Sequence, residues 1–232
     1  LEGDKRFSLL KGVTGSGKTE VYLSIIREAL KKGEGVIFLL PEIALTPQMI
    51  DKFKNAFNEN LAILHSKLTP VQRETEWMSI YTEEKNIVLG VRSAIFAPVK
   101  NLKYIIIDEE HESSYKQDSD PRYDARYVAL KRAEIENAKV LMGSATPLVE
   151  SYFYAKNGIF ELLELNKRYN ENALPKFKLV NMREEGKGEL SETLLEETAK
   201  RLRKGEQILY LLNRKGYSTY IQCEDCGTVE TC

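Results

Sequence analysis

Cysteine is missing from nearly the whole chain: its three copies, Cys223, Cys226 and Cys232, fall in the last ten positions. That distribution excludes a disulfide framework for the body of the protein. No apolar run approaches the roughly 20 residues that a bilayer crossing requires, and no signal peptide opens the chain. A cytoplasmic protein without a membrane partner is therefore expected. An excess of one charge is also lacking, since 34 Lys+Arg stand against 35 Asp+Glu for a net charge of −1. Long-range attraction to nucleic acid is thereby excluded, and any such binding must come from a local patch. Internal repeats and low-complexity segments are absent too. What remains is 232 residues, 42% hydrophobic and 30% charged. These are ordinary globular values, suited to one large domain or to one domain and part of a second.

The most informative stretch is Gly12-Val13-Thr14-Gly15-Ser16-Gly17-Lys18-Thr19, a full match to G-x-x-x-x-G-K-[ST]. Apolar residues Phe7 to Leu10 before it read as a strand, and Glu20 to Leu30 after it read as a helix. Glycines let the backbone curl so that successive N–H groups point at phosphate oxygens, and the helix N-terminus adds its partial positive charge. Gly12, Thr14, Gly15, Ser16, Gly17, Lys18, Thr19 and Glu20 are the candidate nucleotide-binding residues. Lys18 is expected to reach the β- and γ-phosphates of ATP and Thr19 to offer its hydroxyl to Mg²⁺.

Further along, apolar runs alternate with helical patterns. Strands are expected at Val36 to Leu40, Leu61 to Leu64, Ile87 to Val91, Tyr104 to Ile107 and Val140 to Met142. Helices are expected up to Phe57 and Asn157, and over Pro70 to Tyr81 and Tyr123 to Asn137. This alternation predicts an α/β fold, a parallel sheet with helices on both faces, with ligands at the carboxyl ends of its strands. The composition turns polar at Asn166 to Lys178, where a domain boundary is placed. Beyond it we expect a short strand at Leu179 to Asn181 and a helix capped by Ser191, with Leu194, Leu195, Thr198, Ala199 and Leu202 on one face. A buried strand is expected at Gln207 to Leu212. The expected division is residues 1–168, 169–222 and 223–232, the second and third incomplete, as in a piece of a longer protein.

A phosphate loop does not say what is done with the nucleotide. Asp108 and Glu109, delivered by an Ile-Ile-Ile strand, narrow the choice. Asp108 is placed to hold Mg²⁺ beside Thr19, and Glu109 to orient and deprotonate an attacking water, which points to hydrolysis. Asp108-Glu109-Glu110-His111 also resembles the second box of superfamily 2 helicases, and Gly143-Ser144-Ala145-Thr146 resembles their S-A-T box. Taken with L-P-E-I-A-L-T-P-Q, H-S-x-L, G-x-R-S-A-I-F-A-P, N-R-x-G-Y-S and C-x-x-C-G, the set is similar to the bacterial primosomal replication-restart helicases over essentially the whole chain.

That resemblance implies a RecA-like lobe, the start of a second one and part of a zinc module. It implies a 3′-to-5′ DNA-dependent ATPase acting on stalled forks, D-loops and single strands, with primosome proteins and single-strand DNA-binding protein as partners. Lys18, Asp108, Glu109 and His111 would be catalytic, with Glu110 and His111 coupling the nucleotide state to Ser144-Ala145-Thr146. His111 as a plain turn histidine is the alternative; His65 reads as structural. Lobe-one DNA contacts would lie in Leu40 to Gln48 and at Arg92 and Ser93. A nucleotide-gated DNA-loading module without unwinding, or another superfamily 2 translocase, are the competing functions. The second lobe stops before its arginine-bearing box, so slow hydrolysis by this chain is expected.

The segment Ser113 to Tyr127 interleaves aromatics with basic residues, a composition that binds single strands by stacking and by phosphate pairing. Tyr115, Lys116 and Arg122 are the candidates. Tyr123 and Tyr127, four apart, equally suit packing of their own helix. The cysteines give C-x₂-C-x₅-C, whose first pair suits Zn²⁺, but tetrahedral zinc needs four ligands. The family resemblance implies two structural zinc ions with further cysteines elsewhere, and which of the three share a metal stays open.

Overall fold

The run Val36 to Leu40 has no solvent-exposed residue, and its side chains divide between two cores. Ile37 and Leu39 join one apolar cluster, and Val36, Phe38 and Leu40 join the other. Alternate strand residues point to opposite faces, so this segment lies in a sheet covered on both sides. The computed structural model describes residues 5–167, 176–185 and 190–211, and the chain divides into two units, Leu1–Ala173 and Leu174–Cys232.

In the first unit the elements run β1 (Phe7–Gly12), α1 (Lys18–Lys31), β2 (Gly35–Leu39), α2 (Pro47–Phe57), β3 (Leu61–Leu64), α3 (Pro70–Tyr81), β4 (Ile87–Gly90) and β5 (Leu102–Asp108). There follow β6 (Lys116–Gln117), β7 (Tyr123–Asp124), α4 (Ala125–Glu136), β8 (Lys139–Ser144), α5 (Val149–Lys156) and β9 (Glu161–Leu165). Seven strands form one sheet in the order β3-β4-β2-β5-β8-β1-β9, with every pairing parallel. Residues of α1 and α2 pack one face, and those of α3, α4 and α5 pack the other. The expected α/β architecture is thus present. None of the described helices is long and apolar enough to cross a membrane.

Helix boundaries follow local chemistry. Thr46 caps α2, accepting from Met49 N–H, and Thr69 makes a reciprocal capping box with Gln72 at the start of α3; Pro occupies the first turn in both. Helix α4 lies on the sheet through Ala125, Ala129 and Ala133, all without exposure, small side chains on one stripe.

Two elements go beyond the sequence reading. Strand β9 pairs with β1 at the sheet edge, where no strand is expected from the sequence. After β5 a two-stranded antiparallel ribbon sets Lys116 opposite Asp124 and Gln117 opposite Tyr123, and the helix expected from Tyr123 starts at Ala125 instead.

The second unit corrects two expectations. Its helix α6 (Glu192–Arg203) forms as expected, with Ser191 Oγ accepting from Leu194 N–H at 3.1 Å. No strand forms over 179–181 or 207–211. Leu179, Leu209 and Leu211 are 98%, 93% and 90% exposed. An apolar run becomes a strand only where neighbouring strands take up its backbone hydrogen bonds, and among the described residues of this unit there is none. The apolar face of α6 is present in sequence but left open, with Leu195 and Leu202 exposed.

Candidate nucleotide and nucleic-acid site

Between β1 and α1 the chain turns through two left-handed glycines, Gly15 (φ +77°) and Gly17 (φ +90°), a region that residues with a Cβ enter only at a cost. Gly17 caps α1 without any side-chain bond. Among the described residues, no main-chain acceptor takes the N–H groups of Gly15, Gly17, Lys18 or Thr19. The hydroxyl of Ser16 is buried without a hydrogen-bond partner, alone in this respect among the described side chains. A row of unpaired amides and an orphan hydroxyl at a helix N-terminus suits a bound polyphosphate.

Lys18 is 9% exposed; its Nζ donates to Gly12 O at 3.0 Å and lies 3.8 Å from Glu109 Oε1. Asp108 ends β5 on the same side of the sheet, and Glu109 follows with φ +46°, a left-handed conformation that costs a non-glycine residue about 1 kcal/mol. Thr14, Ser16, Lys18, Thr19, Asp108 and Glu109 line one cavity of 640 Å³. Phosphate loop and carboxylates therefore converge, as the sequence spacing requires. Thr19 brings a hydroxyl and Asp108 a carboxylate to this cavity, oxygen donors of the kind that suit Mg²⁺.

Lys52 and Tyr22 join this site without having been marked in the sequence, and Arg126 braces the backbone just beyond it. Lys52 on α2 lines the cavity and pairs with Glu20 at 2.8 Å. Tyr22, one helical turn past Lys18, donates to Asp108 Oδ1 at 2.9 Å; the i, i+4 spacing was the available signal. Arg126 on α4 donates to the backbone carbonyl of Glu110 at 2.8 Å while paired with Asp124. Burial, above all, pushes the Asp108 carboxyl upward from the usual range, and the bond from Tyr22 partly opposes it. Burial also drives the Tyr22 phenol strongly upward, so it stays a protonated donor.

His111 Nδ1 lies 2.7 Å from Ser144 Oγ and 3.6 Å from Glu109 Oε2, and the same Ser144 oxygen accepts from Thr146 N–H at 3.0 Å. The segments that end β5 and β8 are thus joined through His111. The side chain of Glu110, expected to couple to Ser144-Ala145-Thr146, has its partners beyond them. Fully buried, it reaches past them to accept from Leu148 N–H at 2.7 Å and Ser151 Oγ at 3.0 Å. Burial raises its pKa and these two bonds lower it, burial being the larger effect.

A second cavity, of 290 Å³, gathers Glu42, Ser66, Arg92, Ser93, Ser114 and Gln117 from four separate segments. Arg92 is committed within it, donating to Ser114 O at 3.1 Å and Lys116 O at 2.6 Å, so it braces the loop as well as facing the cavity. Lys116 and Arg122 are 65% and 77% exposed, beside Asp118 and Asp120 of their own loop. Surface pairs of this kind are weak, and a phosphate competing for either cation would displace them.

Tyr115 corrects the sequence reading. It has no exposure; its hydroxyl donates to Asp108 O at 2.6 Å, with Leu39 O at 3.2 Å. Its ring is sealed beneath the ends of β2 and β5 and is not available to stack on a base. Tyr123 lies on β7, ahead of the helix it was expected to pack, half-buried and edge-on to Phe96 at 5.0 Å, whereas Tyr127 on α4 is 63% exposed. His65, read as structural, turns its Nδ1 to accept from Lys67 N–H at 3.2 Å. Cys223, Cys226 and Cys232 lie outside the described residues. Among the described residues, no group of three or more His, Cys, Asp or Glu is arranged to hold a metal.

Comparison with known proteins agrees with this geometry. The chain is 50% identical over 237 residues to the replication restart protein PriA of Bacillus subtilis, covering 100% of this chain and 29% of that protein. It is 46% identical to PriA of Haemophilus influenzae, covering 97% and 31%. The chain therefore spans about a third of the length of these relatives. Among solved structures, RecG bound to a three-way DNA junction matches 71% of this chain and 21% of its own, with TM-score 0.51 at 24% identity. The Mss116p DEAD-box helicase domain 2, bound to an RNA duplex, matches 72% and 65%, with TM-score 0.54 at 16% identity. At such identities the likeness carries the fold alone. The DEAD/DEAH box helicase profile matches residues 2–152, most of the chain, and the chain belongs to that family.

Proposed function

We propose that this chain is the ATP-binding lobe of a DNA helicase of replication restart, a 3′-to-5′ motor that hydrolyses ATP to move on and unwind DNA at stalled forks and D-loops. In this reading residues 1–168 are lobe one, residues 169–222 begin lobe two, and residues 223–232 begin a zinc-binding module. The relatives' printed name and the helicase family support the biological role. The observation that carries the chemistry is the shared cavity lined by the phosphate loop, Thr19, Asp108 and Glu109.

Each part of the site has its own task. The amides of Gly15, Gly17, Lys18 and Thr19 and the Ser16 hydroxyl grip phosphate oxygens, and Lys18 moves from Gly12 O and Glu109 onto the terminal phosphates. Thr19 and Asp108 would hold Mg²⁺, which would supply charge neutralisation at the phosphoryl group. Glu109 accepts a proton from the attacking water; its closeness to His111, and His111's contact with Ser144, give the carboxylate a fixed approach. Arg92, Ser93, Lys116 and Arg122 face DNA, whose phosphates they pair with. Primosome proteins and single-strand DNA-binding protein are the partners proposed beyond DNA.

The test is equilibrium binding of a fluorescent ATP analogue with Mg²⁺ to the chain and to Lys18→Ala. Saturable binding that Lys18→Ala weakens by about tenfold or more is expected, the loss of one charge-assisted bond or more. Equal binding by both forms would remove the basis of the reading.

A further inference from the structure

Strand β8 lies between β1 and β5, so the phosphate loop and Asp108 belong to strands that are not neighbours. Asp108 stands opposite Gly143 of β8. A Cβ built on Gly143 would fall 1.7 Å from the Tyr22 hydroxyl oxygen and 2.8 Å from the ring carbon bearing it. The phenol of α1 thus occupies the space over β8 that any other side chain at position 143 would fill. Its ring, with no exposure, is tilted against Phe38 at 5.4 Å. Crossing that gap, the hydroxyl donates to Asp108 Oδ1 at 2.9 Å, the one side-chain hydrogen bond described for this carboxylate.

We propose that Tyr22 is a positioning residue for the metal-binding carboxylate, with Gly143 as the notch that admits it. The hydroxyl fixes the rotation of Asp108 by holding Oδ1, and the remaining lone pairs are presented to the cavity shared with Thr19. Because Tyr22 rides on the helix that begins at Lys18 and Thr19, the two sides of the Mg²⁺ site are referenced to each other through a single rigid element. A donor behind a metal-binding carboxylate orients it, and loss of such a donor costs metal affinity. The inference rests on the proposed nucleotide site and adds a residue to it.

The test is a Mg²⁺ titration of fluorescent ATP analogue binding to the full chain, with metal-free binding measured in EDTA, for wild type, Tyr22→Phe and Gly143→Ala. Tyr22→Phe is expected to need about tenfold more Mg²⁺ to reach half-maximal response, while metal-free binding is unchanged. Gly143→Ala, which keeps the hydroxyl and displaces it, is expected to shift in the same direction. A wild-type Mg²⁺ midpoint in Tyr22→Phe overturns the proposal, as does a parallel loss of metal-free and metal-dependent binding, the signature of a merely structural role. Should Tyr22→Phe not fold, Gly143→Ala decides by the same criteria. If wild type itself shows no Mg²⁺-dependent nucleotide binding, the proposed nucleotide site falls and takes this inference with it.

Discussion

Replacing Glu110 by alanine probes how the carboxylate strand is tied to the helix beyond the S-A-T box. The wild-type side chain is fully buried and accepts two hydrogen bonds, from Leu148 N–H at 2.7 Å and Ser151 Oγ at 3.0 Å. Hydrogen bonds to a charged group contribute about 1.5–3 kcal/mol each, so the pair is worth about 3–6 kcal/mol. Against this stands the cost of burying the carboxylate, whose sign is visible in its raised pKa. Truncation relieves that cost but strands two buried donors, and the net destabilisation expected is about 2–4 kcal/mol. Glu110→Gln keeps the volume and an acceptor for Leu148 N–H, so it is expected to lose about 1 kcal/mol. The single tryptophan, Trp77 on α3, makes urea unfolding of the first unit observable by fluorescence. At a urea slope of about 2 kcal/mol/M the alanine midpoint should fall by about 1–2 M. Midpoints for both variants equal to wild type, with the slope unchanged, would refute the reasoning.

Other consequences are independent of that one. Asp108 has a folded-state pKa raised chiefly by burial, so its stability contribution is full below the unfolded value and is lost as pH rises through the folded one. In metal-free buffer Asp108→Asn should thus melt higher than wild type at pH 7, the gap closing as the pH falls below the ordinary aspartate range; a gap independent of pH contradicts this. No arginine lines the nucleotide cavity among the described residues, and an arginine at such a site is worth about 10³–10⁵ in rate. Hydrolysis by this chain is expected to be slow and little stimulated by DNA, and brisk DNA-stimulated phosphate release would contradict that. Lys116→Ala and Arg122→Ala should each weaken single-strand binding at low salt and reduce the salt slope by about 0.7, measured by anisotropy with a labelled oligonucleotide. An unchanged slope in both would remove them from the interface.

The proposed nucleotide site is legible in sequence because its chemistry is written in short, ordered runs. The loop from Gly12 to Thr19 needs its glycines and its lysine at fixed places, and Asp108 is marked by the apolar strand that carries it. The sheet was legible for a related reason, since strands buried on both faces are continuous apolar runs. Strand β9 escaped because it is an edge strand interrupted by Glu161 and Glu164, and the β6–β7 ribbon is too short to show a period. Tyr115 was misread because an aromatic among lysines and arginines looks exposed, and only the tertiary position of the carbonyls of Asp108 and Leu39 buries it. The false strands beyond residue 176 show the converse, apolar runs that the described residues give nothing to pair with. Tyr22 lay hidden in the periodicity of α1, where an apolar face explains a tyrosine without asking what its hydroxyl meets.

The most direct check on the account uses Mn²⁺ as a paramagnetic stand-in for Mg²⁺, followed by electron paramagnetic resonance during titration of the chain with and without ATP. Nucleotide-dependent retention of Mn²⁺ by wild type, weakened by about tenfold or more in both Thr19→Ala and Asp108→Asn, is the predicted result. Retention of Mn²⁺ undiminished by either substitution would contradict the claim that the loop threonine and the strand aspartate jointly hold the ion.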